Sequence, residues 1–315
     1  MEPMLVITNS GAGTADDESL DAALEVLRSE GEVEVAATSS LDELDEVLGG
    51  ARGRTVVVAG GDGSLHAVVQ SLHRRGELSS STLALIPLGT GNDFARGAGL
   101  PLVAAEAART LCDATAREVD LIVADDETVV VNHVHLGAGA EASKVGAEWK
   151  EKLGSIGVGK VNLGKLGYPI GAAAVALESV PLHVRIEVDG EEVGDGEVLM
   201  VALGNGSSVG GGAELTPDAD VTDGRIDVMV STALGPVQRF TYAADVARAA
   251  HADRDDVTYL HGCEVRVSGE EFWTSADGEI TGPHTDRTWR MVNRAYRMLL
   301  PLQTPSENDT AATSA

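Results

Sequence analysis

Residues 55–66 read TVVVAGGDGSLH, a β-branched run broken by glycines and followed by a helical pattern. Such a run is the kind buried on both faces of a parallel sheet. Gly60, Gly61, Asp62 and Gly63 come next, and Leu65, Val68, Val69 and Leu72 then recur at helical spacing. Ser64 carries the side chain of a helix N-cap. Strand, glycine loop and helix in that order suit phosphate. Glycine lets the backbone approach an anion closely, and the first N–H groups of the helix attract it. Asp62 would repel that phosphate unless it orients Mg²⁺ or bonds the nucleotide indirectly. A plain strand-to-helix turn is the alternative, in a chain with 37 glycines. The Gly-Lys-Ser/Thr ending of a Walker loop and the Gly-x-Gly-x-x-Gly spacing are both missing.

Working outward, the first 125 residues alternate strand and helix patterns. Residues 4–8, 33–38, 55–59 and 83–88 read as strands. Leu20, Leu24 and Leu27, then Leu41, Leu44 and Leu48, and the Ala-rich stretch 103–112 read as helices. That alternation indicates a mainly parallel sheet covered by helices. A second glycine loop, Gly89-Thr90-Gly91-Asn92-Asp93, leaves the strand 83–88. If the strands are parallel neighbours, both loops lie at carboxyl ends, where ligands bind in open α/β sheets. Asn92 by itself reads equally well as a turn residue. After residue 117 the pattern changes to strands at 117–125, 128–136, 182–189, 197–203, 225–231 and 264–268, punctuated by Gly, Asp and Asn. These predict a largely antiparallel second domain, with helices at 141–152, 168–177 and 237–250.

Charge narrows the function classes. The 315 residues hold 50 Asp and Glu against 23 Lys and Arg, a net charge of -27, and only five of the bases are lysine. The acids are spread along the chain, which suits a salt-rich medium where repulsion is screened. A basic stripe for nucleic acid is absent. Cys112 and Cys263 are too few for a disulfide framework. The first ten residues lack the features of a secretion signal, and the longest mostly apolar uncharged run, 166–177, is too short to span a membrane. The expectation is a cytoplasmic protein.

Three further clusters carry chemistry. Asp277-Gly278-Glu279 places two carboxylates around a glycine. Phosphoryl transfer to an alcohol benefits from a carboxylate that accepts the hydroxyl proton, yet Asp-Gly is also the commonest hairpin turn, and on residues alone the turn is favoured. Asp218, Asp220 and Asp223 could hold a hard cation through oxygen, or simply sit in solvated turns. His133 and His135 share a strand face, a pattern more often polar packing than zinc.

Taken in order, Gly60-Gly61-Asp62-Gly63-Ser64, the segment 89–96, the Asn-Gly, Gly-Gly-Gly and Pro-Asp-Ala stretch from Asn205 to Arg225, and Asp277-Gly278-Glu279 resemble the diacylglycerol kinase/sphingosine kinase catalytic family. They are most similar to its stand-alone bacterial and archaeal lipid kinases. The opening Asn9…Gly11…Gly13 and Thr38 also fit, and the resemblance spans about residues 4–301. It implies an NAD kinase/diacylglycerol kinase-like α/β fold: a nucleotide-binding domain of residues 1–122 with a return strand at about 288–301, and a β-sandwich substrate domain at 123–287. The polar residues 302–315 read, from composition, as a disordered tail. The resemblance further implies ATP and Mg²⁺. Nucleotide contacts fall to Asn9, Thr38, Gly60, Gly61, Asp62, Gly63, Ser64, Leu65, His66, Gly89, Thr90, Asn92 and Asp93. Proton acceptance falls to Asp277 and Glu279. A Mg²⁺ site falls to Asp223 with main-chain oxygens of Asp220 and Arg225. The acceptor implied is a lipid at a membrane surface, and a homodimer is left open.

The chain departs from the family in three places. His66-Ala67 stand where Asn-Glu is usual, Ser10 replaces a proline, and Glu141 stands where Asp is usual. NAD kinases share Gly-Gly-Asp-Gly and the two-domain layout, but Asn92 is here followed by Asp-Phe-Ala-Arg. Phosphofructokinases lack support because no Pro-Lys-Thr-Ile-Asp-Asn-Asp-like segment is found. A nucleotide-sensing regulator would have no need of the carboxylates at Asp62, Asp277 and Glu279.

Overall fold

The structure, a computed structural model, describes residues 3–9, 14–138, 140 and 179–301. The N-terminal region alternates as its periodicity predicts. In chain order it comprises β1 (Met4–Asn9), α1 (Thr14–Glu30), β2 (Val33–Thr38), α2 (Leu41–Gly49), β3 (Thr55–Gly60), α3 (Asp62–Arg74), β4 (Thr82–Pro87), α4 (Asp93–Gly97) and α5 (Ala104–Asp113). The strands β2-β1-β3-β4 lie side by side and parallel. All six residues of β3 are buried, which is why that strand reads as a continuous apolar run. The order reverses between β1 and β3, so the loops after these strands open at a switch point of the sheet.

The C-terminal region adds β5 (Thr115–Ala124), β6 (Val129–Val130), β7 (His133–Gly137), β8 (Leu182–Val188), β9 (Glu191–Val198), β10 (Met200–Gly204), β11 (Ser208–Val209), β12 (Ala213–Glu214), β13 (Ile226–Ser231), α6 (Pro236–Val246), β14 (Val257–Gly262), β15 (Glu264–Ala276) and β16 (Glu279–Leu300). Strands β14-β13-β10-β7-β15 pair antiparallel. Along β10, Val201 and Leu203 enter one apolar core while Met200 and Ala202 enter another. The same alternation in β13 sends Val228 one way and Met229 the other. Period-two side chains thus build a sandwich with apolar layers on both faces.

The 22-residue strand β16 joins the two halves. Its first part pairs with β15 and its last part with β4 and β5. Trp289 packs in the sandwich core, whereas Tyr296, Met298 and Leu300 pack in the N-terminal core with Val57, Leu65 and Phe94. The strand expected at about 288–301 falls within β16, which begins at Glu279 directly after the hairpin.

Several expectations are corrected. Ser64 does not cap α3: the helix starts at Asp62 with extended Gly61 as its N-cap. The run 128–136 is two short strands, because residues 131–133 turn their amides onto Asp277. Strand β15 runs on to Ala276 rather than ending at 268. Strands β9 and β14 were not expected. The Glu-, Gly- and Asp-rich sequence of β9 has poor strand propensity, and its residues are mostly exposed on a sheet edge. The expected helices at 141–152 and 168–177 lie outside the described residues, as does the tail 302–315, while that at 237–250 is α6, which ends earlier, at Val246. Among the described residues, no helix is long and apolar enough to cross a membrane.

Candidate active site

The proposed nucleotide residues gather at one end of the parallel sheet. Asn9 and Thr38 are register partners at the ends of β1 and β2, and Thr38 Oγ1 donates to the carbonyl of Thr8 at 3.3 Å. Gly60 ends β3, and its carbonyl accepts from the Leu88 N–H at 3.0 Å. That bond ties the first glycine loop to the second. The two loops touch: a Cβ on Gly89 would lie 2.5 Å from the Gly61 Cα. Only glycine fits at either position. Ser64 folds back toward the strand, so a Cβ on Gly60 would lie 2.5 Å from its Oγ. Gly63 and Thr90 are exposed, whereas the Leu65 side chain is wholly buried in the core and has only its main chain to offer a ligand. Residues 10–13 of the opening loop lie outside the described residues.

Asn92 closes the second loop on itself. Its side chain accepts from Gly89 N–H at 3.0 Å and donates to the Gly89 carbonyl at 2.8 Å, while its backbone is left-handed with φ 53°. The turn reading of Asn92 is therefore correct as far as its side chain goes. Asp62 Oδ1 accepts from Phe94 N–H at 3.0 Å, at the start of α4. Asp93 accepts from Gly211 N–H and Gly212 N–H at 2.8–3.0 Å. The Gly-Gly-Gly stretch of the second region is thus docked onto the second loop of the first. A Cβ on Gly91 would meet Asp93 Oδ2 at 3.1 Å and Asp62 Oδ2 at 3.2 Å, so two carboxylates flank one glycine. Burial pushes the Asp93 carboxyl above its ordinary value, and the neighbouring Asp62 charge adds to that. Among the described residues, neither carboxylate is hydrogen-bonded to a basic side chain. Two carboxylates beside one glycine are hard oxygen donors that fit a divalent cation.

Asp277 sits opposite. Ala276 pairs with Glu279, so Asp277 and Gly278 form a two-residue hairpin turn with φ 48° and 92°, the mirror-image turn that suits strand twist. The hairpin reading of Asp-Gly is correct. The same turn buries the Asp277 side chain to 2% exposure. Its Oδ1 accepts from the Asn132 and His133 amides at 2.9 and 3.0 Å, and its Oδ2 from the Val131 amide at 2.7 Å. His66 Nδ1, from the second turn of α3, reaches Oδ2 at 2.9 Å. Burial pulls the His66 ring down, but the Asp277 bond and the charges of Asp277 and Glu279 outweigh it, so the ring titrates above its ordinary value. Glu279 is exposed. The helix after the phosphate loop and the late carboxylate are thereby joined directly.

The third cluster stands apart. Asp220 Oδ1 accepts from Thr222 N–H and Oγ1, and Asp223 Oδ1 accepts from Arg225 N–H at 3.0 Å. Buried Asp120 holds this turn, accepting from Gly224 N–H and, across on β16, from Arg294 N–H, both at 2.7 Å. Burial raises the Asp223 carboxyl, and Asp220 and Asp120 add to that. Main-chain oxygens with one carboxylate are hard donors of the right kind for Mg²⁺. Among the described residues, no three His, Cys, Asp or Glu side chains form a metal cage. His133 is accordingly a packing residue: its Nε2 lies 2.7 Å from Thr216 Oγ1, and burial, with His135 close by, pulls its pKa down to about 3.

Sequence reading missed Asp120, the Asp93 link and the His66–Asp277 pair. A single acid inside the apolar stretch 119–124 was the available signal for Asp120. No local signal pairs His66 with a residue 211 positions away.

Comparison with known proteins identifies a kinase of the diacylglycerol kinase kind. Residues 3–124 match the diacylglycerol kinase catalytic domain, and residues 155–299 match the YegS C-terminal NAD kinase beta sandwich-like domain. The chain belongs to this family and is similar to its prokaryotic lipid kinases. A "Probable lipid kinase YegS-like" protein of Xanthomonas oryzae pv. oryzae is 32% identical over 259 residues, 80% of each chain. A "Probable lipid kinase YegS" of Salmonella typhimurium is 31% identical over 224 residues, 70% of this chain and 71% of that one. The crystal structure of a diacylglycerol kinase from Bacillus anthracis shares the fold, with TM-score 0.74 at 24% identity, covering 96% of this chain and 98% of the other.

Proposed function

We propose that this protein transfers the γ-phosphoryl group of ATP to the hydroxyl of a diacylglycerol-like lipid at a membrane surface. The observation that carries the reading is the Asp277–His66 contact, which brings the late carboxylate, paired with an imidazole, to the helix that begins at the glycine loop. On this reading the abutting Gly60–Gly63 and Gly89–Asn92 loops cradle the nucleotide phosphates with their amides, and Thr38 and Thr90 border the nucleotide. Asp62 and Asp93 would hold Mg²⁺ with the phosphates, and Asp223 with the carbonyls of Asp220 and Arg225 would hold a second Mg²⁺ that braces the turn. Bound Mg²⁺ supplies charge neutralisation for the transferring phosphoryl group. The acceptor hydroxyl gives up its proton at the Asp277 and Glu279 end of the cleft. The domains proposed are 1–122 with the end of β16 for nucleotide, and 123–287 for lipid. The chain's acidity is read as adaptation to high salt.

The test is radiolabelled ATP supplied with a total lipid extract and Mg²⁺, followed by chromatography of labelled products. Label in an alcohol-bearing lipid is expected. Label confined to NAD would overturn the lipid reading in favour of the NAD kinase alternative.

A further inference from the structure

We propose that in this chain His66, not Asp277, takes the proton of the acceptor hydroxyl, with Asp277 behind it as a positioning residue. The proposal rests on the kinase reading above and concerns where the proton goes.

The first argument is lone-pair accounting. Each carboxylate oxygen offers about two acceptor sites. Asp277 Oδ1 already takes two amide N–H groups, and Oδ2 takes one amide and His66 Nδ1. The side chain is 2% exposed. Every acceptor site is used, so a substrate hydroxyl has nowhere to bind on this carboxylate. Removing one amide from it would leave a buried N–H without a partner.

The second argument is the exit that remains. The His66 ring is 14% exposed, and its Nε2 has no hydrogen bond to any described residue. A carboxylate accepting at Nδ1 fixes the proton there and leaves the Nε2 lone pair basic. His66 lies four residues after Asp62 on α3, so the two side chains share one helix face. The candidate base is therefore one turn from the carboxylate assigned to the phosphates. The charged groups acting on the ring are Asp277 and Glu279 from the hairpin, which favour its protonated form, and Arg74 from α3, which opposes it. Residues 131–133 present only amides to Asp277. A base whose conjugate acid is stabilised in this way is suited to receive a proton at neutral pH.

The step balances as follows. The lipid oxygen forms a bond to the γ-phosphorus, and the bond from that phosphorus to the β,γ-bridging oxygen breaks, its electron pair leaving on ADP. The hydroxyl proton goes to His66 Nε2. The resulting imidazolium is held by the Asp277 carboxylate and then loses its proton to solvent.

Two measurements decide the matter. The first is ¹⁵N NMR of histidine-labelled protein without nucleotide, with the His66 signal assigned by its loss in His66→Asn. We expect a neutral ring protonated on Nδ1, titrating above 6.5, and a downward shift of that titration in Asp277→Asn. The second is the pH profile of kcat on a short-chain diacylglycerol. Wild type should show an acid limb at the NMR titration point. His66→Asn should lose about 10²-fold in kcat together with that limb, with little change in KM for ATP, and imidazole should partly rescue His66→Ala. A ring protonated on Nε2, or a His66→Asn enzyme that keeps the wild-type rate and acid limb, would overturn the proposal. Absence of turnover on every lipid in the wild type would instead remove the kinase reading, while the NMR arm still decides the His66–Asp277 pair.

Discussion

Asp62 Oδ1 accepts a 3.0 Å hydrogen bond from the main-chain N–H of Phe94, so the acid of the first glycine loop also fastens the second. The two duties can be separated. Asp62→Asn keeps an acceptor oxygen but loses the charge, whereas Asp62→Ala loses both. Both variants should abolish phosphoryl transfer. Only the alanine variant should lose stability, by about 1 kcal/mol for one hydrogen bond. Turnover measured beside a thermal melt checks this, and unchanged turnover in a folded variant would remove Asp62 from the mechanism.

The contact of Gly61 with Gly89 makes a purely steric prediction. In Gly89→Ala the new methyl would meet the Gly61 Cα at 2.5 Å and Asn92 Oδ1 at 2.8 Å. Backbone cannot yield cheaply, and a loss of about 1–3 kcal/mol is expected. Gly63→Ala is the control, since nothing lies within 4 Å of its added Cβ. Denaturant melts should rank the variants in that order, and equal stability would mean that the loops do not abut.

Asp277 and Glu279 are not equivalent. The first is buried among four donors, while the second is exposed and acts on His66 only through its charge. Asp277→Asn should lower kcat by about 10²-fold or more, and Glu279→Gln by much less, with nucleotide affinity little changed in either. Steady-state kinetics on both variants is the check. Equal losses would give Glu279 a direct role.

The His66–Asp277 pair also links stability to pH. The folded-state pKa of His66 is raised, so folding binds its proton more tightly. That contribution is complete below the ordinary value of about 6.5 and disappears as pH rises through the folded value. The melting temperature of wild type relative to His66→Asn should therefore be higher at pH 5.5 than at pH 8.5. A difference independent of pH would show that the pKa of the ring is the same in the folded and unfolded chain.

A net charge of -27 makes salt the remaining variable. Repulsion between carboxylates, and between protein and anionic lipid, acts through solvent. Both should fade as the Debye length falls from about 10 Å at 0.1 M to about 3 Å at 1 M. Melting temperature and rate are expected to rise together over that range of KCl. A flat or falling melting temperature would end the high-salt reading. An equal rise of rate on monomeric acceptor and on anionic vesicles would place the effect in folding rather than in membrane approach.

Local pattern alone determined the parallel half of the molecule. Val56, Val57 and Val58 can only be buried on both faces, and Leu65, Val68 and Leu72 must then cover them as a helix. The glycines between, set where strand gives way to helix, marked the candidate phosphate loops in the sequence alone. The order of the motifs likewise identified the family. Edge strands such as β9 were not legible, because exposed Glu and Gly residues carry no burial signal. The proposed proton-handling end depended on tertiary structure. Asp277 reads correctly as a hairpin residue, and it becomes more than that only because the hairpin tip meets the amides of residues 131–133 and the ring of His66. Those partners are 144 to 211 positions away. Periodicity records which face a residue turns to the core, but a hydrogen bond across the fold requires the long strand β16 and α3 to be placed first.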